Sequence, residues 1–501
     1  SKIRGGEVQH TGVVPFLKKF EATVRCCTQN GIRGGSATVF FPIWHQEISD
    51  ILVLKNNKGT EDNRVRKLDY GIQLSKIFYE RFIQNGEITL FSPHDVPGLY
   101  DAFGTDKFDN LYVQYENNSS IPSKTIGAQE LFLDLLKERA ETGRIYIMNI
   151  DHCNSHSSFL DKVSMSNLCM EISLPTTPIQ HIDDDGPQEI ATCILSAINV
   201  GKVKSDEELE ELCNLSVRAL EEIIDYQNYP VKAAENFTKN RRSLGVGYIG
   251  LAHYLAKLGF NYDSQEAWDA VHGLSESFQY YLLKASNQIA KEKGHCEYFG
   301  RTKYADGILP IDTYKKDVDE ISSIKLQHDW EALRSSIIEH GLRHSTLSAQ
   351  MPSESSSVVS NATNGIEPPR GFLSIKKSKK GPLKQIVPQY QTLKNNYTLL
   401  WDMPSNRGYI HIVAVMQKFF DQAISGNWSY NPENYPDNEV PVSVMAHDML
   451  ETYRLGHKTA YYQNTYDIKT DDVVEEPKQD LQSLLQELSD SEEESCESCT
   501  I

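Results

Sequence analysis

Two long segments whose apolar residues recur at helical spacing constrain the fold most strongly. In the first, Ser205 and Glu208 form a capping box, and leucines and isoleucines then recur three or four residues apart. In the second, the same spacing runs from Trp268 to Lys293 and stops at Gly294, as helices tend to do. The sequence therefore predicts two long helices.

Short apolar runs predict strands before these helices. The first 60 residues, with the apolar run 37–41, favour strands joined by loops over helices, and residues 191–196 predict a buried strand. The glycine-rich stretch 244–250 lacks the glycine spacing of a dinucleotide site and has no evident strand before it, so we assign it to helix packing. The combination indicates an α/β fold built on a barrel or sheet.

Composition excludes several classes of protein. The 501 residues are 39% hydrophobic, enough for a substantial core, but no apolar run reaches the length of about 18 residues that a membrane helix needs. A net charge of −19 argues against coating nucleic acid. Nine cysteines are too few for a disulfide scaffold, so we expect reduced thiols in the cytoplasm and any disulfide to be catalytic.

The last 35 residues form an acidic segment with two cysteines. Residues 467–501 contain twelve acidic and two basic side chains, which predicts a flexible tail. The tail ends in Cys496 and Cys499, close enough to form a disulfide with each other. Zinc is the alternative, but it needs four ligands as a rule and the tail contains no further cysteine or histidine. Redox exchange is therefore the favoured interpretation.

An amide, a thiol and a carboxylate alternate at Asn167, Cys169 and Glu171. In an extended segment these three side chains would point to one face. The triplet alone is weak, because a cysteine between polar neighbours is more often incidental than catalytic. A second cysteine, Cys193, follows in the predicted strand.

With their flanking residues, these blocks resemble the active-site loop and adjacent strand of the large subunit of class Ia ribonucleotide reductases. Further blocks in the expected order extend the resemblance over nearly the whole chain: residues 33–35, 54–57, 90–93, 150–154, 361–371 and 461–465. It implies a ten-stranded α/β barrel of that family, lacking its first strand or strands, with a helical C-terminal region and a flexible tail. The implied divisions are 1–350 for the incomplete barrel with its finger loop, 351–465 for the rest of the catalytic domain, and 466–501 for the tail.

The resemblance also implies roles for the reactive side chains. Cys169 would become the thiyl radical that abstracts the ribose 3′ hydrogen, Glu171 would act as general base on the 3′ hydroxyl, and Asn167 would hydrogen-bond the ribose. A sugar C–H bond is too inert for acid–base chemistry alone, whereas sulfur can carry a radical and a carboxylate can take a proton. Cys193 would be one member of the reducing thiol pair. Cys496 and Cys499 would re-reduce that pair by disulfide exchange.

Two pairs of adjacent tyrosines occur in the chain. Tyr461 and Tyr462, followed by Gln-Asn-Thr, match the stacked pair that relays the radical to the active cysteine in the family. Tyr280 and Tyr281 lie inside the second long helical pattern, and we interpret them as core packing.

Two segments are candidates for nucleotide binding. Glu354, Ser355 and Ser356 precede an apolar run, and their local sequence fits either an anion site or a plain helix cap; the resemblance favours the substrate diphosphate. The glycine-rich stretch 28–36, with Gln29 and Arg33, resembles the loop that couples the effector nucleotide to substrate choice, and Arg4 falls in a neighbouring effector loop. The sequence alone fits a mobile turn equally well at that stretch.

The resemblance further implies cofactors and partners. We expect no covalently bound cofactor and no metal in this chain, nucleoside triphosphate effectors, ribonucleoside diphosphate substrates, a radical from the metal cofactor of a small subunit, and reduction by glutaredoxin or thioredoxin. The family's regulatory region and first barrel strand, which carries the partner of Cys193, have no counterpart here. Either the sequence is a truncated piece or the large subunit is encoded as two chains that assemble. We favour a separate N-terminal large-subunit chain and expect no turnover by this chain alone. A non-catalytic remnant or regulatory binding protein is the alternative.

Overall fold

The computed structural model describes the chain except residues 1, 4–6, 10, 30, 32, 184, 379–380 and 468–501. The side chains of residues 2–3, 8–9, 29, 33, 375–378 and 381–383 are also outside the description. The strands are β1 (Lys2–Ile3), β2 (Val8–Gln9), β3 (Thr28–Gln29), β4 (Arg33–Gly34), β5 (Thr38–Pro42), β6 (Asp69–Leu74), β7 (Glu87–Phe91), β8 (Ser123–Gly127), β9 (Ile145–Asn149), β10 (Ile194–Asn199), β11 (Leu244–Ile249), β12 (Leu373–Ser378), β13 (Gly381–Ile386), β14 (Trp428–Tyr430), β15 (Thr459–Ala460) and β16 (Gln463–Thr465). The helices are α1 (Val14–Arg25), α2 (Ile48–Leu52), α3 (Lys76–Ile83), α4 (Leu99–Ala102), α5 (Phe108–Glu116), α6 (Ala128–Thr142), α7 (Ile150–Ser155), α8 (Asp206–Tyr226), α9 (Lys232–Arg241), α10 (Leu251–Leu258), α11 (Gln265–Lys293), α12 (Pro310–Thr313), α13 (Trp330–His340), α14 (Glu354–Val359), α15 (Tyr390–Leu393), α16 (Arg407–Gln417) and α17 (Val442–Arg454).

A four-stranded sheet in the order β15-β9-β6-β5 forms one side of the molecule. Strands β5, β6 and β9 are parallel, with Val39 paired to Tyr70 and Tyr70 to Ile145, and β15 joins β9 antiparallel. Every residue of β9 is buried, as expected for a parallel strand covered on both faces. Helix α6 packs against β9 and against α3, and both helices contribute to the same apolar core as this sheet.

A second sheet contains the parallel pair β10 and β11, which α8 and α9 connect. Isolated bridges extend it, from Val246 to Ser348 and from Gln350 to Ile424. The Thr459 hydroxyl, at the start of β15, lies 3.0 Å from the Ile424 carbonyl and so links the two sheets. The α/β class is confirmed. The described strands do not close into a barrel, and a count of ten strands is not confirmed.

The two predicted long helices are confirmed. The Ser205 hydroxyl accepts a hydrogen bond from the Glu208 amide at the start of α8, and Gly294 ends α11. Helix α11 packs against α8 and α16 around the larger apolar core. Tyr281 is buried in that core and its ring meets Tyr280 edge-on.

Three predictions of secondary structure need correction. The first 60 residues are not free of helix, since α1 occupies 14–25, with a proline in its first turn where helices tolerate it. The stretch assigned to helix packing is strand β11, whose glycines permit close contact: a Cβ at Gly245 would lie 3.0 Å from the Cys193 sulfur. Strand β10 begins one residue after Cys193, and Leu195 within it is 40% exposed, so the segment is not fully buried.

No helix within the described part of the chain is long and apolar enough to cross a membrane.

The cap of α8 gives a direct test of the fold. Replacing Ser205 with alanine removes the acceptor of the Glu208 amide and should lower the free energy of unfolding by about 1 kcal/mol. Urea denaturation followed by circular dichroism measures this change. Ser205→Asp, which keeps a capping oxygen, should retain wild-type stability, and equal losses in both variants would contradict the assigned cap.

Candidate active site

Cys169 lies on a tight turn, not on the extended segment that the alternation predicts. The Met170 amide approaches the Asn167 carbonyl at 3.4 Å, and Met170 has a φ of +70°. A left-handed conformation costs a non-glycine residue roughly 1–2 kcal/mol, so the surrounding structure must hold it. Met170 is fully buried, and the Thr459 hydroxyl lies 2.9 Å from its carbonyl.

The segment 422–425 fixes the other side of this turn. The Ala423 amide donates to the Glu171 carbonyl at 3.0 Å. The Ser425 hydroxyl donates to the Cys169 carbonyl and lies 3.3 Å from Glu171 Oε2. Asn167 stays within the turn, where its Oδ1 accepts from the Ile172 amide at 3.2 Å. The amide, thiol and carboxylate predicted from the sequence are therefore brought together by a turn.

The Glu171 carboxyl is 3% exposed. Burial raises its pKa, and hydrogen bonds from Asn167 and Ser425 offset part of that rise. A carboxylate with a raised pKa is a stronger proton acceptor near neutral pH than an exposed one.

Tyr461 and Tyr462 form a stacked pair beside the thiol. Their ring centroids are 3.8 Å apart, and their hydroxyl oxygens are 2.7 Å apart. The Tyr461 hydroxyl lies 3.5 Å from Cys169 Sγ, and burial raises the pKa of Tyr461 far above its usual range. Arg144, exposed at the surface, donates to the Tyr462 hydroxyl at 2.7 Å. A continuous row of polar atoms thus leads from the surface to the thiol.

Cys193 lies beside the same segment 422–425. The Gln422 side-chain amide approaches its sulfur at 3.6 Å, and burial raises the pKa of the thiol to about 12. Glu171 is close enough for its charge to contribute to that rise. The structure therefore places both candidate cysteines, the carboxylate and the tyrosine pair around one short stretch of chain.

Two buried cations that the sequence analysis missed support this arrangement. The fully buried Arg139 donates to the Tyr461 carbonyl at 2.7 Å and to the Tyr462 carbonyl at 3.3 Å. The fully buried Lys458 donates to the carbonyls of Asp421 and Gln422, both at 2.9 Å. The local sequence does not distinguish either residue from a surface cation, because the main-chain carbonyls to which each donates are distant in the sequence.

One of the candidate diphosphate residues lines a cleft. Glu354, Ser355 and Ser356 are exposed in the first turn of α14, and Glu354 lines a cleft of about 200 Å³. Arg370 lines the same cleft. The plain cap is not formed, since the Ser353 side chain makes no capping hydrogen bond and instead donates to the Met351 carbonyl.

The remaining predicted site residues fall partly outside the described structure. Arg4, Cys496 and Cys499 lie outside the described residues. Gln29 and Arg33 pair with each other in the β3–β4 hairpin, where Gly31 has a φ of +68°, but their side chains are outside the description.

The chain matches the family model "Ribonucleotide reductase, barrel domain" over residues 1–463. It is 57% identical over 481 residues to the ribonucleoside-diphosphate reductase subunit alpha of Haemophilus influenzae, covering 95% of this chain and 63% of the relative. It is 53% identical over 472 residues to the ribonucleoside-diphosphate reductase 1 subunit alpha of Escherichia coli, covering 93% of this chain and 62% of the relative. It is 46% identical over 492 residues to the ribonucleoside-diphosphate reductase subunit alpha of phage T4, covering 96% of this chain and 64% of the relative.

The chain therefore belongs to the ribonucleotide reductase family and contains its barrel domain. The resemblance recognised in the sequence is confirmed. The chain spans just under two thirds of the length of the curated relatives that it matches.

The buried amine of Lys458 should give stability a distinctive pH dependence. Burial lowers its pKa from 10.5 to about 7, so between these values the unfolded chain binds the proton that the folded chain has lost. The free energy of unfolding of the wild type should consequently rise with pH relative to Lys458→Met, by up to about 1.4 kcal/mol per pH unit. Denaturation curves of both proteins from pH 6.5 to 10 measure this difference. A constant difference across that range would contradict a buried amine that titrates near neutrality.

Proposed function

We propose that this chain is the catalytic part of a ribonucleoside-diphosphate reductase, which makes deoxyribonucleotides by thiyl-radical chemistry at Cys169. The observation that carries the proposal is the row of atoms formed by the tyrosine pair and the thiol. The Tyr462 hydroxyl lies 2.7 Å from that of Tyr461, which lies 3.5 Å from Cys169 Sγ. Family membership and the names of the relatives support the same activity.

The geometry suits a short transfer of hydrogen atoms. An oxidised Tyr461 would take the hydrogen atom of the Cys169 thiol, so that an O–H bond forms as the S–H bond breaks. The resulting thiyl would take the 3′ hydrogen of the ribose, and Glu171 would accept the proton of the 3′ hydroxyl. Asn167 would hydrogen-bond the ribose. The burial that raises the pKa of Glu171 favours this role as a base.

Removal of the 2′ hydroxyl as water requires two electrons and two protons. Cys193 would supply one thiol of the pair that provides them, and a second thiol would supply the other. The resulting disulfide would be reduced by Cys496 and Cys499, which glutaredoxin or thioredoxin would then reduce. We assign the second thiol and the strands that close the ten-stranded barrel to an N-terminal large-subunit segment, on a separate chain or on a longer form of this one.

The substrate and effectors would occupy two different regions. We place the substrate diphosphate at Glu354, Ser355 and Ser356, because all three are exposed in one helical turn and Glu354 lines the cleft that Arg370 also lines. We place the nucleoside triphosphate effector near Arg4 and the hairpin that carries Gln29 and Arg33. A small subunit holding a metal cofactor would supply the radical and meet this chain near the exposed Arg144, in the cytoplasm.

Reduction of a nucleoside diphosphate tests the proposal. The chain is assayed with the small subunit and a dithiol, in one preparation by itself and in another with the N-terminal third of a relative's alpha subunit. Deoxynucleoside diphosphate should form in at least one preparation, and Cys169→Ser should abolish it. Cys27→Ser, at an exposed cysteine, should leave the rate unchanged.

Nucleotide binding without reduction in both preparations would contradict the proposal and favour a regulatory binding protein. Reduction that survives in Cys169→Ser would contradict the assignment of the radical site.

A further inference from the structure

Gln422 is a fully buried side chain whose carboxamide meets the sulfur of Cys193. Its Oε1 accepts a hydrogen bond from the Ser173 amide at 3.2 Å, and its Nε2 donates to the Leu244 carbonyl at 2.8 Å. The second hydrogen of the same Nε2 faces Cys193 Sγ, 3.6 Å away. Among the described residues, Gln422 is the one hydrogen-bond donor to this sulfur.

The orientation of this carboxamide is determined by its partners. A main-chain amide can only donate and a main-chain carbonyl can only accept, so Ser173 must face the oxygen of Gln422 and Leu244 the nitrogen. Rotation of the carboxamide by 180° would place the Nε2 donor against the Ser173 amide, which is also a donor. It would place the Oε1 acceptor against the Leu244 carbonyl, which is also an acceptor. The sulfur of Cys193 therefore always faces an N–H group.

The main chain of Gln422 is held equally firmly. Its amide donates to the Ser348 carbonyl at 3.0 Å. Its carbonyl accepts from Lys458 Nζ at 2.9 Å and from Gln417 Nε2 at 2.8 Å. Three separate parts of the chain thus fix the position from which the carboxamide reaches the sulfur.

The charged groups around Cys193 make such a donor useful. The carboxylates of Glu171 and Asp421 both disfavour a negative sulfur, as burial does. The amine of Lys458 bonds the main-chain carbonyls of Asp421 and Gln422 and makes no described contact with this sulfur. Partial stabilisation of negative charge on this sulfur therefore depends on the Gln422 N–H.

We propose that Gln422 is a positioning residue that holds Cys193 and stabilises negative charge on its sulfur. The inference rests on the proposed function in one respect, the redox role of Cys193. When an attacking thiolate reduces a disulfide that contains Cys193, a new S–S bond forms to the other sulfur. The original S–S bond breaks, and its electron pair remains on Cys193, which leaves as a thiolate. A better-stabilised thiolate leaves faster, so Gln422 speeds regeneration of the reduced enzyme.

The reactivity of the Cys193 thiol tests this inference without requiring turnover. Alkylation by iodoacetamide is followed by peptide mass spectrometry from pH 7 to 10.5, in the wild type and in Gln422→Met, which keeps the side-chain length but lacks the donor. Loss of a hydrogen bond to a charged group should slow alkylation of Cys193 about tenfold at each pH below the thiol pKa. The exposed Cys26 and Cys27 in the same samples should react at unchanged rates.

Gln417→Met is the matched control. Gln417 is also buried and donates to the Phe420 and Gln422 carbonyls, so its loss removes one of the three contacts to the Gln422 main chain and leaves the other two and the donor to sulfur in place. Its Cys193 should react within about twofold of the wild type, a margin well inside the tenfold change expected for one hydrogen bond. Gln422→Glu, which retains the shape and adds a negative charge, should slow alkylation at least as much as Gln422→Met and provides the measurement if the methionine variant does not fold.

Unchanged Cys193 reactivity in the Gln422 variants, or equal slowing in Gln417→Met, would overturn the inference. If the wild type fails to reduce nucleotides while alkylation of Cys193 is slowed in Gln422→Met, the proposed function fails and the contact between Gln422 and Cys193 stands. The two failures are therefore distinguishable.

Discussion

The hydrogen bonds between the segment 422–426 and the turn at 167–171 are the interaction on which the rest of the site depends. Met170 has a left-handed backbone that its side chain does not favour, so the turn is stable only while its neighbours hold it. Ala423, Ser425 and Thr459 each contact a main-chain carbonyl of this turn. Through them, the position of Cys169 is set by strand-like segments of the sheet rather than by the turn itself.

The same segment also sets the distance to the tyrosine pair. The Tyr461 amide donates to the Gly426 carbonyl at 2.8 Å, and the Tyr462 amide donates to Asn427 Oδ1 at 3.0 Å. On their other side, both tyrosine carbonyls accept from Arg139. A buried cation without partners is costly. Arg139 and Lys458 each donate to several main-chain carbonyls, and these bonds hold together segments that no strand pairing joins.

The sequence was sufficient to predict those elements whose signals are local. The N-cap at Ser205, the long helix ending at Gly294 and the buried Tyr281 lie within periodic segments. The reciprocal bond of the predicted capping box is not formed, because the Glu208 carboxylate accepts from the Lys204 amide and not from the Ser205 amide. The turn at Met170 could not be predicted, because its left-handed backbone is imposed by residues more than 250 positions away. Strand β11 was missed because its glycines were assigned to helix packing, whereas in the structure they allow close contact with the Cys193 sulfur and with Ala349.

The site residues divide in the same way. Cys169, Glu171 and the tyrosine pair were predicted because their motifs resemble a family, and the structure brings the thiol and the tyrosine pair into contact. Their supporting residues carry no motif. Gln422 and Arg139 act through hydrogen bonds to atoms distant in the sequence, and no local pattern distinguishes a buried glutamine or arginine from an exposed one.

The central claim is that the Tyr461 hydroxyl connects Cys169 to the radical source, and the variant Tyr461→Phe tests it most directly. The phenyl ring can still stack on Tyr462 but lacks the hydroxyl that lies 3.5 Å from the thiol. In the preparation in which the wild-type chain reduces nucleoside diphosphates, the variant should keep the wild-type melting temperature and substrate binding, and its rate of reduction should fall below detection. Reduction at the wild-type rate by Tyr461→Phe would contradict the account.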